Sequence, residues 1–216
     1  MPDEPAIDDS SALRTYGGVA VADRRADRRR RFIDAAVEVF GTEGYATGSV
    51  TALCREAGLS RRQFYEEFTD REDLLIEAYD IIQSEVADAV AAALAELPAD
   101  VDPPEAVNAA MSAFVRSIAV DSRRSTVVYV AVVGVSERVE EHRLQRRDEW
   151  ATFILEMLAI YLPERTTRTK PEEQMIAVGF IGALTAVLHR WSTTTGRRPR
   201  INTVAKTLAH MLVSML

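Results

Sequence analysis

The chain has a single cysteine, Cys54, so no disulfide can form within it. Its three histidines, His142, His189 and His210, lie far apart, and with one cysteine they make no metal-ligand spacing. There is no Gly-rich phosphate loop, no nucleophile elbow and no paired Cys/His arrangement. Convergent titratable groups, which an enzyme needs, are not evident, so neither catalysis nor a cofactor nor a metal is expected. The longest apolar run, 126–135 with its small residues, is far too short to span a bilayer. The first residues are acidic and carry no apolar signal core, which predicts a cytoplasmic protein with no membrane contact. A net charge of −7 excludes a general nucleic-acid coat. It leaves room for a local basic footprint, because the field that matters is that of one face.

What is present is ordinary globular composition, 47% hydrophobic and 27% charged over 216 residues, enough for one core or for a small domain and a larger one. No internal repeat or low-complexity tract interrupts it.

The most informative stretch is 49–75, SVTALCREAGLSRRQFYEEFTDREDLL. Ser49 can cap a short helix whose buried face is Val50, Leu53 and Cys54. At that position Cys54 reads as a small core residue. Gly58 follows Ala57, where a residue able to take positive φ closes a helix. Ser60 restarts the chain as a second N-cap, with Gln63 three residues on to complete a capping box. Phe64 and Phe68 form the buried face of this second helix, leaving Arg61, Arg62, Gln63 and Tyr65 on its free side. Asp70 caps the next helix, with Asp73 in its first turn. Two short helices joined by a glycine turn, the second exposing Arg, Arg and Gln, fit a helix-turn-helix. The major groove admits one α-helix, and Arg and Gln pair bidentately with guanine and adenine edges there.

The run also resembles the DNA-binding segment of the TetR family of transcriptional regulators. The resemblance rests on Ser49-Val50, on Ala57-Gly58-Leu59-Ser60, on Tyr65 with Phe68, and on Glu72-Asp73-Leu74-Leu75. Phe40-Gly41 and Gly44-Tyr45 upstream match it too. It covers roughly the first third of the chain; the remainder is similar only in helical layout. The family often has His or Asn after the tyrosine and then an aromatic, where this chain has Glu66 and Glu67. Carboxylates facing a phosphate backbone repel it, so one or both are expected to turn sideways or toward another protein group. The resemblance implies a regulator, most simply a repressor, that binds a palindromic duplex operator as a homodimer. The class kept as the alternative is an all-helical adaptor or ligand-binding protein without DNA binding.

The expected fold is all-α, with a three-helix unit at 23–70 joined to a helical effector-binding and dimerisation domain at 71–216. Residues 1–22 are acidic, small and aperiodic, and read as a disordered tail. Arg24 to Arg31 is either a solvated helix start or a basic arm touching phosphates or the minor groove. A helix from Phe32 to Phe40 buries Phe32, Ala35, Ala36, Val39 and Phe40. A long helix over 71–97, stopped by Pro98, is the candidate lever between layers. Further helices start near Asp102, Ser136, Pro171 and Asn202, the third of these four following a stop at Pro163. The valine-rich run 125–135 reads as a short buried helix.

Candidate DNA contacts are Arg61, Arg62, Gln63 and Tyr65 in the groove or on its flanking phosphates, with Ser49, Thr51, Ser60 and Arg71 as further anchors. Gln63 ranks below the arginines because of its rival capping role. In the second layer Met111, Phe114, Tyr129, Trp150, Phe153, Met157 and Phe180 are the bulky residues, which either pack on one another or line an apolar pocket. The resemblance favours a pocket, since family members typically bind small effectors among these helices. Gly179, Gly182, Ala186, Val204, Leu208 and Met211 on the last two helices either close the monomer or form a four-helix dimer interface.

Overall fold

The structure, a computed structural model, describes residues 10–161 and 169–215, with side chains in the first helix from Ala22 onward. Its elements are α1 (Ser10–Thr42), α2 (Val50–Ala57), α3 (Arg61–Glu67), α4 (Arg71–Ala95), α5 (Pro103–Ala119), α6 (Ser122–Thr126) continued by a π-helical turn (Val127–Ala131), α7 (Glu137–Tyr161), α8 (Lys170–Thr193) and α9 (Ile201–Met215). No strand occurs among the described residues, and the all-α expectation holds.

The first helix is longer than the apolar periodicity implied. Its backbone is helical from Ser10, so residues 10–22 are regular where a tail without structure was expected; residues 1–9 lie outside the described chain. Extending a helix that is already nucleated by packed residues costs far less than starting one. The Ala- and Arg-rich run ahead of Phe32 offers little resistance.

The remaining boundaries follow their caps. Ser49 Oγ accepts from Ala52 N, and Gly58 closes α2 at φ +62°, the left-handed conformation that suits glycine. Ser60 and Gln63 form the reciprocal capping box at α3. The Asp70 side chain accepts from Asp73 N at the start of α4. Phe32 sits fully buried with its ring edge-on to Phe64 at 5.4 Å and to Phe68 at 5.9 Å, locking α1 onto α3. Arg71 donates to the carbonyls of Tyr45 and Gly48 at 3.1 and 2.5 Å and stacks over the Tyr45 ring, fixing the turn ahead of α2.

The larger layer is built on α5, which packs against both α4 and α9, with α7 against α8. The valine-rich run is helical and buried, as expected, but widens into a π turn at Val127–Ala131 that packs on α4 and α8. Ser136 caps α7 through Val139 N. That helix ends at Tyr161, and Pro163 lies outside the described residues. By length and composition α8 is apolar enough to cross a membrane, with one third of its most apolar stretch buried here. One such helix is weak evidence for a span, since the core helix of a folded domain passes the same test.

Several contacts join the layers, two of them through arginines of the larger one. Arg123 on α6 pairs with Glu38 on α1, and Gly41 lets the helices meet: a Cβ there would lie 2.5 Å from Arg123 Cβ. Arg138 at the start of α7 grips Asp70, Glu72 and Asp73 at the start of α4, with distances of 2.7–3.0 Å.

Candidate DNA-binding face and effector cavity

At the α2–α3 corner Ser49, Thr51, Ser60, Arg61, Arg62 and Tyr65 are each exposed. Arg62 is 89% exposed along its side chain and leans on Glu66 at 2.9 Å, a pairing one helical turn apart. Arg61 Nη1 donates to Thr51 Oγ1 at 3.2 Å, so the two short helices brace each other through a residue that faces outward. Tyr65 is 54% exposed and rests edge-on against Phe64. Gln63 is tied down: its Oε1 accepts from Ser60 N and Ser60 Oγ, both at 2.9 Å. Ser49 and Ser60 likewise use their hydroxyls as caps. Arg71 is turned inward onto two backbone carbonyls and a ring, so it acts as a strut rather than facing outward.

Glu67 explains both the odd Glu-Glu pair and the basic arm. Its side chain is only 1% exposed and takes Arg25 Nε at 3.0 Å and Arg28 Nη2 at 2.9 Å. Arg29 donates to the Glu67 carbonyl at 2.9 Å and pairs with Glu77. Arg31 donates to the Ala57 carbonyl at 2.6 Å, and Arg30 to Asp27. Much of the arm is therefore bound to the protein, clamping α1 across the back of α3. Burial pushes the Cys54 thiol above its ordinary range, which suits a core residue.

In the second layer Met111, Phe114, Trp150, Phe153 and Met157 converge on one slot between α4, α5, α7, α8 and α9, joined by Val90, Leu94, Tyr161, Leu184 and Leu212 among others. The enclosed cavity is small, about 50 Å³, and opens to solvent on one side. Phe114 and Trp150 meet edge-on at 5.3 Å, and Trp150 meets Phe153 at 5.5 Å. Tyr129 is set apart from this slot, in a second chamber behind the Phe114–Trp150 pair with Tyr79, Gln83, Arg143, Arg147 and Thr185. Phe180 lines neither space. It is fully buried core, because its side of α8 faces the protomer interior.

The residues proposed for the last two helices divide. Val204 and Leu208 are buried inside the protomer, since α9 turns that stripe onto α5. Gly179 and Ala186 are exposed, Gly182 and Met211 half-buried. Met175, 67% exposed, extends the α8 stripe. Gly182 also makes room for Arg147, whose Nη2 lies 3.3 Å from where a Cβ would be. Sequence reasoning had no access to Glu67, Arg138 or Arg123 as tie points, because each partner lies 38 or more residues away.

Among the described residues, no group of three or more His, Cys, Asp or Glu side chains is placed to hold a metal. A helix-turn-helix joined to a larger helical layer is the arrangement found, and the comparisons match both parts. Residues 32–78 match the family of bacterial regulatory proteins, tetR family. Solved structures with the same fold include a TetR-like transcriptional regulator from Rhodococcus sp. RHA1, 21% identical, TM-score 0.64, covering 86% of this chain and 93% of that one. The fatty acid degradation regulator FadR from Bacillus halodurans is 17% identical, with TM-score 0.70 over 86% and 94%. FadR from Bacillus subtilis, in complex with stearoyl-CoA, is 17% identical, with TM-score 0.68 over 87% and 98%. No curated protein sequence matches. Residues 32–78 thus carry a tetR-family DNA-binding segment, and the chain as a whole has the fold of these regulators.

Proposed function

We propose that the chain is a cytoplasmic, homodimeric repressor that leaves its palindromic operator when a small, largely apolar molecule enters the slot. The units are those of the sequence, 23–70 for DNA and 71–216 for effector and dimer. The observation that carries this reading is the position of α4. Val90 and Leu94 near its end wall the slot, while at its start Arg71 is fastened to the Tyr45 and Gly48 carbonyls and Asp70, Glu72 and Asp73 to Arg138. A molecule that wedges the slot open pushes on the same helix that sets the attitude of α3. To release DNA it must bind the incompetent arrangement more tightly, since equal affinity shifts nothing. A coupling of about 1–3 kcal/mol weakens operator binding several-fold to about a hundredfold.

DNA contact falls to Arg61, Arg62 and Tyr65, with Ser49, Thr51 and Ser60 near phosphates. Gln63 is held by its cap and Arg71 by its carbonyls, so both support the face from behind. Selection of bound sequences from random duplex DNA should enrich an inverted repeat; no enrichment would reject the DNA-binding role. On the selected site Arg61→Ala or Arg62→Ala should cost about 1–3 kcal/mol if it reads a base, or weaken all sequences alike if it holds phosphate. Two alanine variants that bind like the parent would remove these residues from the interface.

The uncovered apolar face of α8, Met175, Gly179 and Ala186, supports the dimer, with Val213 and Met215 of α9 alongside; a Cβ at Gly179 would stand 3.9 Å from Met215 Cε. Small residues let two helices approach closely and form a self-complementary four-helix contact. Ala186→Arg should give a monomeric mass by light scattering while the protomer stays folded. A parent protein that is already monomeric at micromolar concentration would refute the dimer.

A further inference from the structure

The chamber behind Phe114 and Trp150 is built differently from the slot in front of it. It is lined by Tyr79, Gln83, Val128, Tyr129, Arg143, Arg147 and Thr185, and shares Phe114, Trp150, Ile181 and Leu184 with the slot. Two of its polar atoms have no protein partner: Gln83 Oε1, on a residue only 8% exposed, and Arg147 Nε. Leaving such groups unpaired is costly, and native proteins keep few of them. Arg143 is neutralised by Glu140, whereas among the described residues no carboxylate lies within ion-pair distance of Arg147. No carboxylate lines the chamber either.

The remaining groups can all donate. Burial holds the Tyr79 and Tyr129 hydroxyls protonated, both well clear of neutral pH. Gln83 Nε2 donates to Tyr79 Oη at 3.0 Å. Turning the amide over lets Tyr79 donate to Oε1 at the same separation and aims the NH₂ into the chamber. Arg147, Gln83, Tyr129 and Thr185 then surround a space with one uncompensated positive charge, which matches a monoanion better than a doubly charged phosphate. The adjoining slot offers hydrocarbon contacts.

We propose that the chamber is the head-group subsite of the effector cavity, and that it takes the carboxylate of an amphipathic acid whose hydrocarbon chain lies in the slot. This rests on the slot being the effector site. Phe114 and Trp150 stand between the two spaces, so a ligand occupying both must part them. The Val127–Ala131 turn, which supplies Val128 and Tyr129, continues directly from α6 and its Arg123–Glu38 tie to α1. A head group in the chamber thus reaches a second route to the DNA-binding unit, separate from α4.

The test is calorimetric titration of the full-length protein with dodecanoate, dodecanol and methyl dodecanoate, followed by operator release. The acid should bind about tenfold to a hundredfold more tightly than the ester or alcohol, as one charge-assisted pair implies. Arg147→Met should abolish that preference while leaving ester affinity within about twofold. Gln83→Leu should reduce it without removing the charge term, and thermal melting checks that both variants fold. Equal binding of acid and ester, unchanged in Arg147→Met, would overturn the head-group subsite and leave an apolar effector cavity standing. No binding of any of the three would overturn both. Preferential acid binding without operator release would keep the subsite and refute the switch.

Discussion

The N-terminal unit and the helical layer behind it use polar groups in opposite ways. Around α2 and α3 the named side chains are matched at short range or tied to α1: Ser60 with Gln63, Arg62 with Glu66, Arg61 with Thr51, Glu67 with Arg25 and Arg28. Phe32, Phe64 and Phe68 meet beneath with ring centroids 5.4–5.9 Å apart. Around the slot the walls are nearly all carbon, empty space persists, and two buried polar atoms behind it lack partners. A DNA-reading corner must hold its shape before it meets DNA, because looseness there dilutes specificity. An effector cavity has to stay incompletely packed until its ligand arrives. On the proposed reading, the difference teaches that packing quality marks function: tight where the protein presents a surface to DNA, open where it would receive a molecule.

The strongest way to break that comparison is to open the tight region. Phe32→Ala removes a fully buried ring flanked by two others, and should cost about 3–5 kcal/mol in denaturant unfolding. Met157→Ala, half-buried beside space that is already empty, should cost about 2 kcal/mol or less. If the two losses are equal, the packing contrast has no energetic content.

Local chemistry explains why the first region was legible and the second only partly. Caps, a positive-φ glycine and an aromatic pair act within a turn or two, so Ser49, Gly58, Ser60, Phe64 and Asp70 declared their roles in order along the chain. Bulky side-chain types likewise picked out Met111, Phe114, Trp150, Phe153 and Met157, because a cavity among helices is walled by whatever large apolar residues face inward. Which way each faces depends on helix rotation, and that is set by partners far away. Hence Phe180 went to the core, Tyr129 to the second chamber, and Val204 with Leu208 to the α5 contact. Arg71 shows the same limit at smaller scale: its position suited a phosphate, yet the Tyr45 carbonyl and ring lie within its reach. The arm from Arg24 to Arg31 could not be assigned from composition, because only the fold brings Glu67 beneath it.

A middle-sized effect should come from that arm. Glu67→Gln keeps the shape but removes the charge that gathers Arg25 and Arg28. The pairs are part-buried, so the stability loss should be about 1–2 kcal/mol, between the values for exposed and fully buried pairs. The released guanidiniums should strengthen non-specific DNA binding and steepen its salt dependence by about 0.9 in the logarithmic slope for each phosphate gained. Measurement of affinity against salt for a non-operator duplex decides it. An unchanged slope with reduced stability would make Glu67 purely a clamp, with no part in restraining the arm.

The smallest effect sharpens the comparison at the joints between the two regions. Burial alone would raise the Asp70 carboxyl, but the Asp73 N–H and the Arg138 guanidinium outweigh it and hold it below the usual carboxylate range. Arg123 does the same, first among its causes, for Asp121. A carboxyl whose folded value is depressed contributes stability above its unfolded value and loses that contribution as pH falls through the folded one. The joints should therefore weaken as pH drops below about 4, while the phenylalanine core is unaffected. Both carboxyls are part-exposed, so solvent screening keeps each contribution within roughly 0–1 kcal/mol. Hydrogen exchange at the first turn of α4 and along α6 should accelerate between about pH 5 and about pH 3 ahead of the amides around Phe64, after correction for intrinsic rates. Asp121→Asn should flatten the response at α6 and leave that at α4 intact. Simultaneous loss of protection in all three places would mean that the layers unfold as one unit and that the joints are no weaker than what they join.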